Sequence, residues 1–295
     1  METLLERWRA RGRTLDVRGR QIFCVDTGGG DPDRPALLIL HGFPSSSLDY
    51  HRVLDDLAAG YRVVVHDHVG FGFSAKPADY SYSLLEQAEV AFELWSALGV
   101  AAGHLLAHDY GTSVATEVLA RRERGGIPVE LASVTLANGS VLLDLARLRW
   151  SQRLARSPLW GPLFSRLVTR GYFRRVVRRL WGDRGRADRA DLDAMWDGLR
   201  EGDGHLRTTQ ISSYLDERVR FRHRWLGALR RLDVPAHLLW GRRDPVALPA
   251  VAERLAEEIP GARLTWLDEL GHYPMLEDPR AWSRAALDFL EGIEP

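Results

Sequence analysis

Apolar residues in this chain come in short uninterrupted runs, not in alternation with polar ones. "PALLILHG" (35–42), "YRVVVHDHVG" (61–70) and "GHLLAHD" (103–109) are the clearest, and "LASVTLANG" (131–139), "PAHLLWG" (235–241) and "ARLTWLDE" (262–269) complete the series. A run of this kind suits a strand buried on both faces, which forces covering layers on each side of its sheet. Stretches of helical spacing separate the runs: "SLLEQAEVAFELWSALG" (83–99), stopped by Gly99, then a helix near Pro249–Ile259 and another over about Pro279–Leu290. "QIFCVD" adds a strand before the glycine turn at 28–30. This βαβα rhythm predicts an α/β fold, a mostly parallel sheet with helices on both faces.

With 295 residues and 45% hydrophobic content the chain can bury a full core, and one domain carrying an insertion is the expectation. Forty basic residues balance forty acidic ones, which gives no general attraction to nucleic acid or an anionic membrane. The single cysteine, Cys24, lies in an apolar run and reads as a buried structural thiol. "METLLERWRARGRTL" lacks a signal-peptide core, and no window holds about 18 uninterrupted apolar residues, so a cytoplasmic protein without a membrane span is predicted. Monomer and homodimer both remain open.

From about Gly139 to Leu229 no buried strand is legible, only helical segments broken at Pro158, Gly161, Pro162 and Gly171. Residues 1–138 and 230–295 are therefore assigned to the core and 139–229 to a helical cap, a common place to build a pocket over strand ends. Thirteen arginines stand against two aspartates in 147–189. The ordinary reading is a solvated helical surface; the alternative is a patch that steers an acidic partner.

"LLAHDYGTSVA" (105–115) passes from strand to helix through Asp109, with small neighbours at Ala107 and Gly111 that permit a tight, strained corner. An aspartate in a turn is usually structural. Three further segments fall where a nucleophilic site needs them. "HGFP" (41–44) can offer a backbone N–H to an anion, "WGRRDP" (240–245) sets Asp244 just past a strand, and "ELGHYPMLEDP" (269–279) sets His272 past the last one. No GxSxG occurs. His41, His66, His68 and His108 also sit at strand ends, where a ring hydrogen-bonded within a turn is the common finding. His66 and His68 converge on one face but leave too few ligands for a closed metal site, and no metal or other cofactor is predicted.

The order Asp109, Asp244, His272 resembles the nucleophile, acid and histidine of the α/β-hydrolase family, and "DHVGFGFSAKP" (67–77) is similar to its usual turn after an early strand. The elbow resembles those of the aspartate-nucleophile group, the epoxide hydrolases and haloalkane dehalogenases. Over most of residues 20–290, from "HGFPSSSLDY" through "MWDGLREGDGHL" and "YLDERVRFRHRWLGAL" to "HYPMLEDP", the chain resembles the mesoderm-specific transcript branch. The resemblance implies an ester formed on Asp109, water activated by a neutral His272 that Asp244 orients, an oxyanion hole of the Phe43 and Tyr110 N–H groups, and a cis bond before Pro44. It also implies two cap tyrosines as acids for an opening epoxide. Tyr214 in "QISSYLDER" resembles the second of them, and Tyr172 in "RGYFRRV" is the weaker candidate for the first.

Halide release would instead ask for an Asn after the HG and a Trp after the nucleophile; Phe43 and Tyr110 occupy those places. Trp150, Trp181 and Trp196 of the cap are expected to line an apolar pocket, and these three or Trp160 could supply a halide donor. The expected function is hydrolysis of a hydrophobic small molecule, epoxide to diol, with water as co-substrate. Haloalkane hydrolysis and a non-catalytic binding protein on the same scaffold are the alternatives, and an esterase ranks below the epoxide reading because attack on an ester would leave an anhydride. Asn138, at a strand end, is weighed only as a poor substitute for Asp244 because it carries no charge.

Overall fold

Alternate residues of one apolar run leave a strand on opposite sides, and the strand Ala36–Leu40 shows the consequence: Leu38 and Leu40 join one buried cluster, Leu37 and Ile39 the other. The structure, a computed structural model, describes residues 2–28, 34–139, 141, 142, 157 and 159–293. Eight strands form its sheet: β1 (Arg13–Val17), β2 (Arg20–Asp26), β3 (Ala36–Leu40), β4 (Arg62–His66), β5 (Ala102–His108), β6 (Glu130–Ala137), β7 (Ala236–Gly241) and β8 (Arg263–Leu267). Their order is β1-β2-β4-β3-β5-β6-β7-β8, antiparallel at β1, β2 and β4 and parallel from β4 onward. Helices pack on both faces.

After β4 the chain crosses back over β3 to place β5 on its far side. Connections from the carboxyl ends of β3 and β5 therefore leave in opposite directions, which opens the crevice where parallel α/β sheets bind ligands. Leu40 pairs with Ala107, so the "HGFP" turn and Asp109 emerge side by side.

Two strands differ from the sequence reading. β1 was not legible, because its "RTLDV" carries charge at an edge and only Val17 is buried. It pairs with β2 through Arg18 and Gly19, at φ 55° and 72°, the positive pair of a tight hairpin turn. β8 was read as a buried run but is the other edge, and none of its residues is fully buried. The long helix agrees with its signals: Leu84–Ala97, with Ser83 accepting the Leu85 N–H at 3.2 Å and Gly99 at φ 69° beyond its end.

Between β6 and β7 the described residues contain helices and no strand: Gly161–Leu167, Arg170–Val177, Arg189–Arg200, Thr208–Ile211, Tyr214–Arg220 and Arg222–Arg230. Gly161 and Pro162 open a helix instead of breaking one, as a proline does in a first turn, and Gly171 lies inside the next. Pro158 lies outside the described residues. Two buried carboxylates join this insertion to the sheet layers. Asp191 meets His51 at 3.0 Å and Arg52 at 2.9 Å, and Glu117 meets Arg224 at 2.9 Å and the Trp225 Nε1–H at 2.8 Å. No helix among the described residues is long and apolar enough to cross a membrane.

Candidate active site

β5 ends at His108 and the helix Tyr110–Arg122 starts two residues on, so Asp109 alone makes the corner. It holds φ 46° and ψ −109°, a backbone state that costs a non-glycine residue about 1–3 kcal/mol. The corner closes because its neighbours lack side chains. A Cβ on Gly111 would stand 2.2 Å from the Leu40 carbonyl oxygen, and one on Gly139 would stand 2.4 Å from Asp109 Cα. An aspartate before a helix ordinarily accepts an amide of the first turn, yet the Asp109 side chain makes no such cap.

Its oxygens face other elements. Oδ2 accepts the Phe43 N–H at 2.9 Å, from a turn whose Phe43–Pro44 bond is cis. His41 fixes that turn in one tautomer, donating from Nδ1 to the Gly42 carbonyl at 2.8 Å and accepting the His68 N–H on Nε2 at 3.0 Å. Burial pulls its pKa down to about 4, so the ring stays neutral. The Tyr110 N–H belongs to a first helical turn, whose amides have no acceptor within the helix.

His272 approaches the other oxygen. Its Nε2 lies 3.9 Å from Asp109 Oδ1, beyond hydrogen-bond length, while Nδ1 donates to Asp244 Oδ2 at 2.7 Å. Burial disfavours the imidazolium, but Asp244 at Nδ1, then Asp109 and Asp49, carry the pKa up to about 9. Asp244 is itself held on both oxygens. Oδ1 accepts the Val246 and Ala247 N–H groups at 2.7 and 3.0 Å, and Oδ2 accepts Asn138 Nδ2–H at 2.7 Å as well as His272.

Sequence reasoning missed that use of Asn138. At φ 43° the residue ends β6 in the left-handed region, and its Oδ1 accepts the Gly241 N–H at 3.0 Å, which ties the Asp244 loop to the neighbouring strand. The signal was "ANG" at a strand end, since Asn tolerates that conformation better than most residues. Glu277 was also passed over. Its carboxylate accepts the N–H groups of Gly182 (3.0 Å), Asp183 (2.7 Å) and Gly271 (2.8 Å), and so shapes the loop before His272. A third omission is Asp49, buried with Oδ2 accepting from Ser45 Oγ and pushed well above the usual carboxylate range by burial.

The aromatic candidates separate. The Tyr214 ring packs 5.0 Å from that of Tyr110 and 6.3 Å from that of Phe43, with the Arg218 guanidinium 4.6 Å above it. Tyr172 instead meets Phe164 at 6.1 Å, and no ring contact or hydrogen bond joins its side chain to Asp109, Asp244 or His272 among the described residues. Trp181 lies 5.2 Å from Tyr273, which is 5.0 Å from His272. Trp196 packs on Phe173 at 5.4 Å, Trp160 is 57% exposed, and Trp150 lies outside the described residues. His108 donates from Nε2 to the His272 carbonyl at 2.7 Å, which fixes its tautomer. His66 and His68 are neutral rings lowered by burial, and the described residues contain no group of three or more His, Cys, Asp or Glu arranged for a metal.

Comparison with known proteins shows the family. The chain is 43% identical to LipZ of Mycobacterium tuberculosis, named as a hydrolase, over 96% of each chain. It is 34% identical to the mesoderm-specific transcript homolog protein of Homo sapiens, over 98% of this chain and 88% of that one. Among solved structures, haloalkane dehalogenase DbeA from Bradyrhizobium elkani superposes with a TM-score of 0.81 at 22% identity, covering 96% and 98% of the two chains. Epoxide hydrolase CorEH does so at 0.77 and 18%, covering 96% and 99%. Those two likenesses show the fold alone. A model of the alpha/beta hydrolase fold matches residues 35–279, and the chain belongs to the α/β-hydrolase family.

Proposed function

We propose that the chain hydrolyses a hydrophobic small molecule through an alkyl ester on Asp109, converting an epoxide to a diol. The observation that carries this is a carboxylate at a strained corner that does not cap its own helix. One of its oxygens sits on the Phe43 N–H and the other faces a histidine already paired with Asp244. A merely structural turn aspartate has no use for that arrangement.

In the first step an Asp109 oxygen attacks an epoxide carbon, the ring C–O bond breaks, and Tyr214 protonates the departing alkoxide. Its contact with Tyr110 and Phe43 supports this role, and Tyr172 is the second donor proposed, supplied from the insertion. In the second step neutral His272 takes a proton from water, the hydroxide adds to the ester carbonyl, and the oxyanion meets the N–H groups of Phe43 and Tyr110. Collapse frees the diol and restores the Asp109 carboxylate, and the proton taken up by His272 passes through solvent to the Tyr214 phenolate, which resets both groups. One water is consumed. Alkylation also removes the Asp109 charge, one of the influences that raise His272, so the ring releases its proton more readily when it must act as base.

In this reading residues 139–229 are a cap over the core of 1–138 and 230–295, with Trp181 and Trp196 on its apolar side and the enzyme working in the cytoplasm. Hydrolysis of a carbon–halogen bond is the competing reaction. It is favoured by one observation, a buried Trp181 Nε1–H without a hydrogen-bond partner, and opposed by Phe43 and Tyr110 at the positions of the usual donors.

His272→Gln separates the steps, because alkylation does not need the base and hydrolysis does. Incubated with epoxides, the variant is expected to gain one substrate mass on Asp109. In heavy-oxygen water the first turnover of the unaltered enzyme should give product carrying light oxygen from that carboxylate. Solvent label in the first turnover would end the covalent mechanism, and bromide release from bromoalkanes outpacing diol formation would replace the epoxide.

A further inference from the structure

The insertion exposes what a folded chain ordinarily covers. Leu159, Trp160, Leu163 and Leu167 are 75, 57, 48 and 68% exposed. Trp160, Leu163 and Leu167 stand three and four residues apart, which places them on one stripe of the short helix Gly161–Leu167. The same helix buries Ser165 and sets Phe164 against Tyr172 of the next one.

Beyond that contact the next helix and the turns after it line a cleft of about 600 Å³ with six arginines: Arg174, Arg175, Arg178, Arg179, Arg184 and Arg189. Their carboxylates are few. Asp193 pairs with Arg174 and lies 3.8 Å from Arg189, and Arg178 donates to the Arg184 carbonyl. Arg175, Arg179 and Arg184 have no carboxylate within 4 Å among the described residues. The molecule as a whole is neutral, so this is a local field in a concave wall.

We propose that these two helices, which meet at Phe164 and Tyr172, dock the insertion on a lipid surface containing anionic phospholipid. Guanidinium groups take phosphate oxygens in pairs, while tryptophan and leucine settle at the boundary between headgroups and acyl chains. One phospholipid supplies both chemistries. A free phosphate compound would answer the arginines and leave the leucines in water, and a second copy meeting this face two-fold would set one arginine cleft against another. Docking stands on these side chains alone; that it also delivers an apolar substrate rests on the hydrolase reading.

The test is flotation of the full chain with vesicles of phosphatidylcholine, alone or mixed with phosphatidylglycerol. Binding is expected only to the mixed vesicles and to weaken with salt. Arg175→Glu/Arg179→Glu and, separately, Leu163→Ser/Leu167→Ser should each weaken it by roughly tenfold or more, with circular dichroism unchanged, because both pairs change exposed side chains. Failure to float with mixed vesicles overturns the proposal. So does abolition of binding by inorganic tripolyphosphate with the leucine pair without effect, which marks a free-anion site. A leucine pair that lowers thermal stability while leaving flotation intact shows that the stripe is covered by this chain itself. Diol formation is not measured, so failure here leaves the proposed reaction untouched.

Discussion

The strand ends of the candidate site and the helical insertion between β6 and β7 are held by different means. Asp109, Asp244 and His272 hang from the ends of β5, β7 and β8, backbone amides or a short side chain fix both Asp244 oxygens and Oδ2 of Asp109, and His272 is seated in turn on the Leu180 and Asp244 oxygens. Apart from one main-chain seam, where the Leu180 carbonyl accepts the His272 N–H and Glu277 accepts those of Gly182 and Asp183, the insertion is joined by side-chain contacts: Asp191 with His51 and Arg52, Glu117 with Arg224 and Trp225, and rings packed on rings. Some of its polar atoms, Tyr172 Oη and Trp181 Nε1, are buried without a hydrogen-bond partner. A ladder register cannot slip by one residue without inverting every side chain, whereas packed helices can shift. Chemistry is therefore expected to be set by the sheet and selectivity by the insertion.

The largest effect that would break this division concerns the two tyrosines. Tyr214→Phe should slow alkylation by roughly two to four decades, the usual range for a positioned acid, and Tyr172→Phe by much less. Single-turnover formation of the ester measures both. A larger loss at Tyr172 would mean that the insertion closes over the site in a way this packing does not contain.

Asn138→Ala comes next. It removes a hydrogen bond to the Asp244 carboxylate and leaves a buried acceptor short of a donor, which costs about 1–3 kcal/mol. If the loss falls on the orientation of His272, ester hydrolysis should slow by roughly ten- to a hundredfold while alkylation is spared. Equal loss in both half-reactions would show that Asn138 holds only the fold.

The smallest effect is the sharpest in sign. In the proposed mechanism hydrolysis needs neutral His272, and the free protein raises that group to about 9. Ester formation removes the Asp109 charge, so the hydrolysis step should speed up with pH and level off below pH 9, while binding of substrate to the free protein follows the higher value. A hydrolysis rate that falls with rising pH over this range would exclude His272 as the base.

Much of the core was legible because its signals are local. Continuous runs such as "ALLIL" and "RVVVH" can be buried only between layers, and an aspartate between Ala107 and Gly111 can turn from strand to helix without a clash. β1 escaped notice because pairing with β2, not its own charged sequence, makes it a strand. Asn138 and Glu277 escaped for a related reason: each acts on backbone groups that reach it only in the folded chain, 103 residues away for Asn138 and Gly241, and 95 for Glu277 and Gly182.

By itself, then, the order of apolar runs and turn residues determined an α/β sheet, the strand ends that carry Asp109, Asp244 and His272, and a helical stretch between β6 and β7. Tertiary structure decided the rest. It set Tyr214 against Phe43 and Tyr110 while Tyr172 went to Phe164, assigned Asn138 to Asp244, and left the leucines of 159–167 and the arginines of 174–189 facing outward. The physical reason is range. Hydrophobic period and turn chemistry act over a few residues, but which helix covers another, and which buried oxygen finds a donor, depends on how separate elements pack.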